Sequence, residues 1–486
     1  MAEPSGVVFP LTEGGRSTSA LGRAVLADAL RSADPVGARS AEHETNWRHG
    51  YLPHFRRLVE AGLPSRESAL TIARDGLAAL HSRMRVVRAD GAEVGLAEAF
   101  AGDPAGEPLA TATLDGGGVP ERELSLPYRG QRLRGAELSR RLDAWVDAGV
   151  IEPSCAEAVR AVQANPDWLD LRDQRIVVLG AGAEMGPLPS ILRWGGEVTA
   201  VDLPRPDLWR RLIRTTERYA GRLSLPVPPG TRADDPQLAG RAGADLLHGL
   251  PQVADWLLGM DGRLVLGNYV YADGATNVRV ATAVDALTRQ LRERREDVAL
   301  AFLATPTDVF AVPAAAVRHA ERGYAARGWG RRTLRTLSGG RLLHRNYPPG
   351  ADPGINDSLV PQQGPNYALA KRLQRWRAAV DRADGARVSF TVAPPTRTRS
   401  VLRNRALAAA YAGAHRFGIE VFEPATSNTL MAALLVHDLR ADRPAMDHPW
   451  QDEAYAAAHG GLWRVPYAPR SALGLAVLLG LGGARG

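Results

Sequence analysis

Tyr367 and Lys371 stand four residues apart in Tyr-Ala-Leu-Ala-Lys. On a helix this spacing places both on one face, one turn apart. A lysine ammonium beside a phenol stabilises the phenolate and lowers its pKa from about 10 towards the range useful for proton transfer. Lys371 is also the only lysine of the chain: of 60 basic residues, 59 are arginine. A position that keeps lysine in such a sequence is a candidate for a place where a bulky, planar guanidinium fails. A compact ammonium can sit close to a phenol or to sugar hydroxyls.

A second constellation lies upstream. The apolar run 175–179 leads into Gly180-Ala181-Gly182-Ala183-Glu184-Met185-Gly186, and a helix is expected from about Pro187. Glycines there let a backbone approach a pyrophosphate, and a helix N-terminus offers unpaired N–H groups. Asp202 follows 22 residues after Gly180, at the end of the next apolar run, where a carboxylate can accept hydrogen bonds from an adenosine ribose. The same carboxylate repels a 2′-phosphate, which favours NAD over NADP.

These residues need a scaffold. From Asp173 onward, short apolar runs alternate with helical patterns, the signature of a parallel sheet covered by helices. The expected strands are 175–179, 197–201, 223–227, 244–247, 263–267, 297–303, 387–392 and 419–422. Long helices are expected over 277–295 and 401–417. The fold class that follows is α/β, a doubly wound, Rossmann-like parallel sheet, with an additional and mostly helical N-terminal region. The pattern divides the chain into residues 1–168, a dinucleotide-binding unit over 169–435, and a C-terminal extension over 436–486. Within 1–168, helices are expected at 65–84 and 136–150, the triplet Gly116-Gly117-Gly118 reads as a turn, and no chemistry is assigned.

With these features in order, residues 172–425 resemble the short-chain dehydrogenase/reductase superfamily in a divergent form. Gly180 and Gly186 match the outer glycines of that family's loop, and Tyr367 with Lys371 its Tyr-x-x-x-Lys pair. Asn277 matches its helix asparagine, and Thr305 occupies the place of its catalytic serine, with Thr307 or Ser358 as substitutes. Thr396 and Thr398 fall in a segment similar to the one that closes over the nicotinamide. The resemblance implies hydride transfer between nicotinamide and a carbonyl or carbinol carbon. Tyr367 then exchanges the proton, Lys371 tunes it and binds ribose, Thr305 holds the substrate oxygen, and Asn277 holds a water leading to solvent. Gly180, Gly182, Glu184, Met185, Gly186, Asp202, Asn268, Thr396 and Thr398 are the expected cofactor contacts. The sequence departs from the family at Glu184, which replaces the middle glycine. It departs again in reducing the family's Asn-Asn-Ala-Gly to Asn268, and in inserting about 60 residues before Tyr367.

Composition excludes several classes. With 45% apolar and 23% charged residues the chain is globular, and a single cysteine, Cys155, cannot form an internal disulfide. The opening residues lack a basic-plus-apolar signal, so a cytoplasmic location is expected. No apolar run reaches the 18 or so residues of a membrane span. The longest, 472–483, leaves peripheral membrane contact open. The net charge of +7 reads as thinly spread, solvated surface rather than a nucleic-acid face. No histidine spacing suggests a metal site. The expected partner is a small, partly apolar molecule, with a homo-oligomer possible. Two other readings compete: a dinucleotide-binding protein without catalysis, and an S-adenosylmethionine-dependent methyltransferase. The inserted residues 309–366, rich in Pro and Gly, are expected to fold over the site as a lid or, alternatively, to pack on the N-terminal region or a neighbouring subunit.

Overall fold

The computed structural model describes residues 5–101 and 106–481. A seven-stranded sheet forms its centre: β1 (Ala110–Asp115), β2 (Gln174–Leu179), β3 (Glu197–Val201), β4 (Arg222–Val227), β5 (Arg263–Asn268), β6 (Ala299–Ala304) and β7 (Val388–Val392). Their spatial order is β7-β6-β5-β2-β3-β4-β1. The six strands from β2 onward run parallel, and β1 lies antiparallel on β4 with Ala112 opposite Leu225. From β2 the chain winds outward through β3 and β4, then returns to β5 on the other side of β2 and winds outward again. The fold is therefore a doubly wound, Rossmann-like α/β sheet, and its direction of winding switches between β2 and β5. Ligands of such sheets bind at the carboxyl ends of the strands beside that switch.

Alternation along the strands explains the two covered faces. Val177 and Leu179 join one core with the helices Gly274–Arg294 and Pro365–Ala383, while Ile176 and Val178 join a second with the helices Pro153–Ala164 and Pro424–Arg440. Residues in strands alternate faces, so a sheet buried on both sides reads as a continuous apolar run.

The N-terminal helices Thr18–Arg31, Trp47–Gly62 and Arg66–Arg83 share the first of these cores. Buried ions also tie them down. His81 contacts Asp285 at 2.6 Å, and Arg377 grips the same carboxylate through two hydrogen bonds of 2.8 and 2.9 Å. Strand β1 extends the central sheet with residues from the same N-terminal stretch.

Two expected strands take other forms. Residues 244–247 are irregular, because Asp245 accepts hydrogen bonds from the Leu247 amide through its side chain and from the amides of His248 and Gly249 through its carbonyl. Local Asp chemistry outcompetes a strand there. Residues 419–422 contribute only a single bridge, Phe422 to Thr396.

The insertion enters and leaves as an antiparallel ribbon, Val309–Val312 against Gly354–Asp357. Most of it packs on the C-terminal segment: Tyr347 donates to the Trp463 carbonyl at 2.6 Å, and the Leu343 amide to Ser471 at 3.2 Å. It also meets the N-terminal region, where Tyr51 donates to the Val360 carbonyl. The terminal apolar run forms the helix Pro469–Gly480, and its residues 482–483 lie outside the described residues. Among the described residues no helix is long and apolar enough to cross a membrane.

Candidate active site

The residues singled out in the sequence meet along the carboxyl edge of the parallel strands. The glycine loop follows β2, Asp202 follows β3, Asn268 ends β5, Thr305 follows β6, and Thr396 follows β7. Gly180 turns the chain at φ +80°, and a Cβ there would stand 2.9 Å from the Tyr269 carbonyl oxygen. Only glycine permits both this conformation and this approach.

Asp202 closes the loop from below. Its Oδ2 accepts the Gly182 amide at 2.7 Å and its Oδ1 the Leu203 amide at 2.8 Å. Burial raises its pKa, opposed by those two amides and by the guanidinium groups of Arg211 and Arg205. Each carboxylate oxygen keeps a further lone pair for a ribose hydroxyl. Four other loop amides are engaged: Gly180 and Ala181 with the Val201 carbonyl, Ala183 with that of Gly180, and Gly186 with that of Ala183. Pro187 and Pro189 have no amide hydrogen to give. Among the described residues, the Glu184 and Met185 amides are the loop donors left for a phosphate.

Glu184, the departure from the glycine pattern, is paired. Its carboxylate accepts the Arg399 amide at 2.8 Å and lies 3.3 Å from the Arg399 guanidinium. It thereby ties the glycine loop to the segment following β7. In that segment Thr396 is buried, bonded to the Pro394 carbonyl at 2.9 Å and to Ser427 at 2.6 Å. Thr398 precedes the helix Arg399–Arg403 and bonds Ser400 at 2.9 Å.

The helix Pro365–Ala383 presents Tyr367 and Lys371 at this edge. Thr305 is close enough to Tyr367 to favour its ionised form, and its hydroxyl lies 2.9 Å from the Thr307 hydroxyl. Gln363 in turn donates to Thr307 at 2.9 Å, so the last residues of the insertion support this row of hydroxyls. Ser358 stands apart, bonded to Asn356. Burial raises the Tyr367 pKa, Thr305 lowers it, and the Asp308 carboxylate raises it.

Lys371 is turned along its own helix. Its Nζ donates to Gln374 Oε1 at 3.1 Å and to the Leu303 carbonyl at 3.4 Å, and burial pushes its pKa down to about 8. Gln374 Nε2 donates to Asn268 Oδ1 at 3.3 Å, which links the lysine to the end of β5. Asn277, buried in the first turn of its helix, accepts the Ala272 amide at 3.1 Å and so braces the loop after β5.

Several neighbours carried no signal in the sequence. Asp308, 2% exposed, receives Arg372 at 3.1 Å and Arg375 at 2.8 Å, and Arg375 continues to Glu453 at 2.6 Å. These ions anchor the Tyr367 helix to the segment that follows β6. Charge burial on this scale needs full pairing. Tyr271 stacks edge-on to Tyr367 with ring centroids 6.2 Å apart, and Tyr411 lies within electrostatic range of it.

No protein-family model and no curated protein matches this sequence. Among solved structures, the chain is similar to a C2-type ketoreductase from a modular polyketide synthase (18% identity, 56% of this chain and 48% of that one, TM-score 0.30). It spans about half the length of that chain. It is also similar to the 3-alpha-hydroxysteroid dehydrogenase of Pseudomonas sp. B-0831 complexed with NADH (18%, 54% and 89%, TM-score 0.28). A third is a thiolation-reductase di-domain from an archaeal non-ribosomal peptide synthetase (12%, 53% and 51%, TM-score 0.28). By its own sheet order, the chain has a doubly wound, Rossmann-like α/β fold.

Proposed function

We propose that this protein is a nicotinamide-dinucleotide-dependent oxidoreductase that transfers hydride between the cofactor and a carbonyl or alcohol substrate. One observation carries this reading: the glycine loop, Asp202, Thr305, Tyr367 and Lys371 converge on one edge of the sheet, at the switch between β2 and β5. Asp202 and the Glu184 and Met185 amides would hold the adenosine ribose and pyrophosphate. The bound nicotinamide supplies the hydride chemistry. Thr305 orients the substrate oxygen and Tyr367 exchanges its proton, while Lys371 reaches the nicotinamide ribose. Tyr271 gives the site an aromatic wall, which suits a substrate with an apolar body. NAD is the favoured cofactor, since Asp202 opposes a 2′-phosphate.

The raised pKa of Tyr367, with Lys371 bonded elsewhere, also supports a second reading: dinucleotide binding without turnover. Absorbance at 340 nm separates the two. With NADH and a panel of ketones and aldehydes of graded size, the wild-type chain consumes NADH. Tyr367→Phe loses at least 100-fold of that rate while binding NADH within about threefold of wild type. NADH binding with no consumption across the panel favours the second reading.

A further inference from the structure

The net charge of the chain is concentrated in one lobe. Residues 309–345 hold eight arginines and one acid, Glu321, a formal +7 that equals the net charge of the whole protein. Residues 397–417 add five arginines and no acid, so the remainder of the chain is net acidic. Among the described residues, Arg318, Arg327, Arg332, Arg335, Arg341 and Arg345 pair with no carboxylate. That departs from the rest of the fold, where ion pairs recur across the surface.

These segments pack together. Leu334 of the helix Trp329–Leu337 and Leu475 of the helix Pro469–Gly480 rest on one small core that contains Tyr324, Phe417 and Tyr467. Arg331 donates to the Arg416 carbonyl at 2.8 Å and fastens the first helix to the end of Arg405–Ala414. Helix Pro469–Gly480 lies close on Arg405–Ala414, because Gly413 and Gly480 present no side chain at the contact.

Large apolar side chains project from this basic lobe. Trp329 and Leu337 are each 81% exposed, and Leu478 and Leu479 are 66% and 60% exposed. Trp329 and Leu337, at i and i+8, share one ridge of their helix; Arg332 flanks Trp329, and Arg331 and Arg335 lie on the other side. Helix Trp329–Leu337 buries no residue.

We propose that this lobe docks on an anionic lipid surface. Projecting Trp and Leu suit the headgroup–acyl boundary, and the unpaired arginines of the same lobe suit acidic headgroups. Nucleic acid would use the arginines and leave the leucines in water. An acidic protein would meet them in a concave patch, whereas these apolar residues stand out from two separate helices. The lobe includes Tyr411, within electrostatic range of Tyr367, and the helix Arg399–Arg403, which is fastened to Glu184. A docked lobe therefore brings the candidate active site next to the lipid phase.

Co-sedimentation of the full chain with vesicles tests this. Vesicles of phosphatidylcholine with 30% phosphatidylglycerol are expected to bind the protein, and pure phosphatidylcholine at least tenfold less. Raising salt from 0.1 to 0.5 M is expected to weaken binding about tenfold. Arg332→Glu with Arg341→Glu, two exposed sites, is expected to cost tenfold or more. Trp329→Ser with Leu478→Ser is expected to cost about as much, with unchanged circular dichroism in both variants. No binding to the anionic vesicles overturns the proposal. So does loss in the charge variant with none in the apolar variant, which assigns the lobe to an acidic protein or a nucleic acid.

Discussion

The Glu184 carboxylate accepts the backbone amide of Arg399 at 2.8 Å and so joins the glycine loop to the segment that follows β7. A charge-assisted hydrogen bond of this kind contributes about 1.5–3 kcal/mol when well formed. Glu184→Ala is expected to speed amide exchange of residues 397–403 about tenfold, with exchange in β2 unchanged. Hydrogen exchange read by mass spectrometry checks this. Unaltered protection over 397–403 would show that the clamp does not order the segment.

Gln374 holds Lys371 from one side and Asn268 from the other. Burial lowers the lysine pKa to about 8, so the ammonium is present below that pH and lost above it. Dinucleotide affinity is expected to fall as pH rises through about 8. In Gln374→Glu a carboxylate faces the ammonium, favours the charged form and moves this limb upward by about one pH unit. NADH titrations from pH 6 to 10 decide the point, and identical profiles for the two proteins would remove Lys371 from the contact.

Lys371→Arg tests the scarcity of lysine directly. The planar guanidinium is longer than the ammonium and cannot be accommodated between Gln374 and the Leu303 carbonyl without displacement. Turnover is expected to drop 30-fold or more. Normal turnover and affinity in the arginine variant would show that the site has no need of lysine.

Glu152 offers a test of the fold apart from its function. It is 3% exposed and receives His459 at 2.9 Å and Arg464 at 2.7 Å through each of two nitrogens. Burial alone would raise its pKa, but these hydrogen bonds hold it at about 2. A depressed carboxylate stabilises the fold fully above its unfolded pKa of about 4.5 and loses that contribution as pH falls towards 2. Glu152→Gln is expected to cost about 3 kcal/mol at pH 7 and progressively less below pH 4.5 in urea unfolding. A constant difference from pH 7 to 2.5 would contradict the pairing.

Much of the sheet was legible because buried parallel strands are continuous apolar runs between helices, as in 175–179 and 197–201. Strand β1 was not. Its Ala-Thr-Ala-Thr alternation is weakly apolar, and what secures it is tertiary: the pairing with β4 and Trp256, which donates to Thr111 at 2.9 Å. At the site, Tyr367, Lys371 and the glycine loop announced themselves by spacing. Asp308, Gln374 and Tyr271 did not, since a buried acid, an amide and an exposed tyrosine acquire meaning only from what the fold sets beside them. Counted over the whole chain, +7 looks dilute, but the fold gathers 309–345 and 397–417 into one lobe.

The edge formed by the glycine loop, Asp202 and the Tyr367 helix is proposed to hold a nicotinamide dinucleotide. Ligands that bind only the folded state stabilise it by about 2.7 kcal/mol at 100 times Kd. Thermal unfolding with saturating NADH, NADPH or S-adenosylmethionine therefore reads occupancy without requiring a known substrate. NADH is expected to raise Tm by a few degrees, and more than NADPH does. No shift is expected with S-adenosylmethionine, and the NADH shift should be lost in Gly182→Val, whose side chain would meet Leu208 and the Asp202 carboxylate. A shift with S-adenosylmethionine alone, or with none of the three, would contradict dinucleotide binding at this edge.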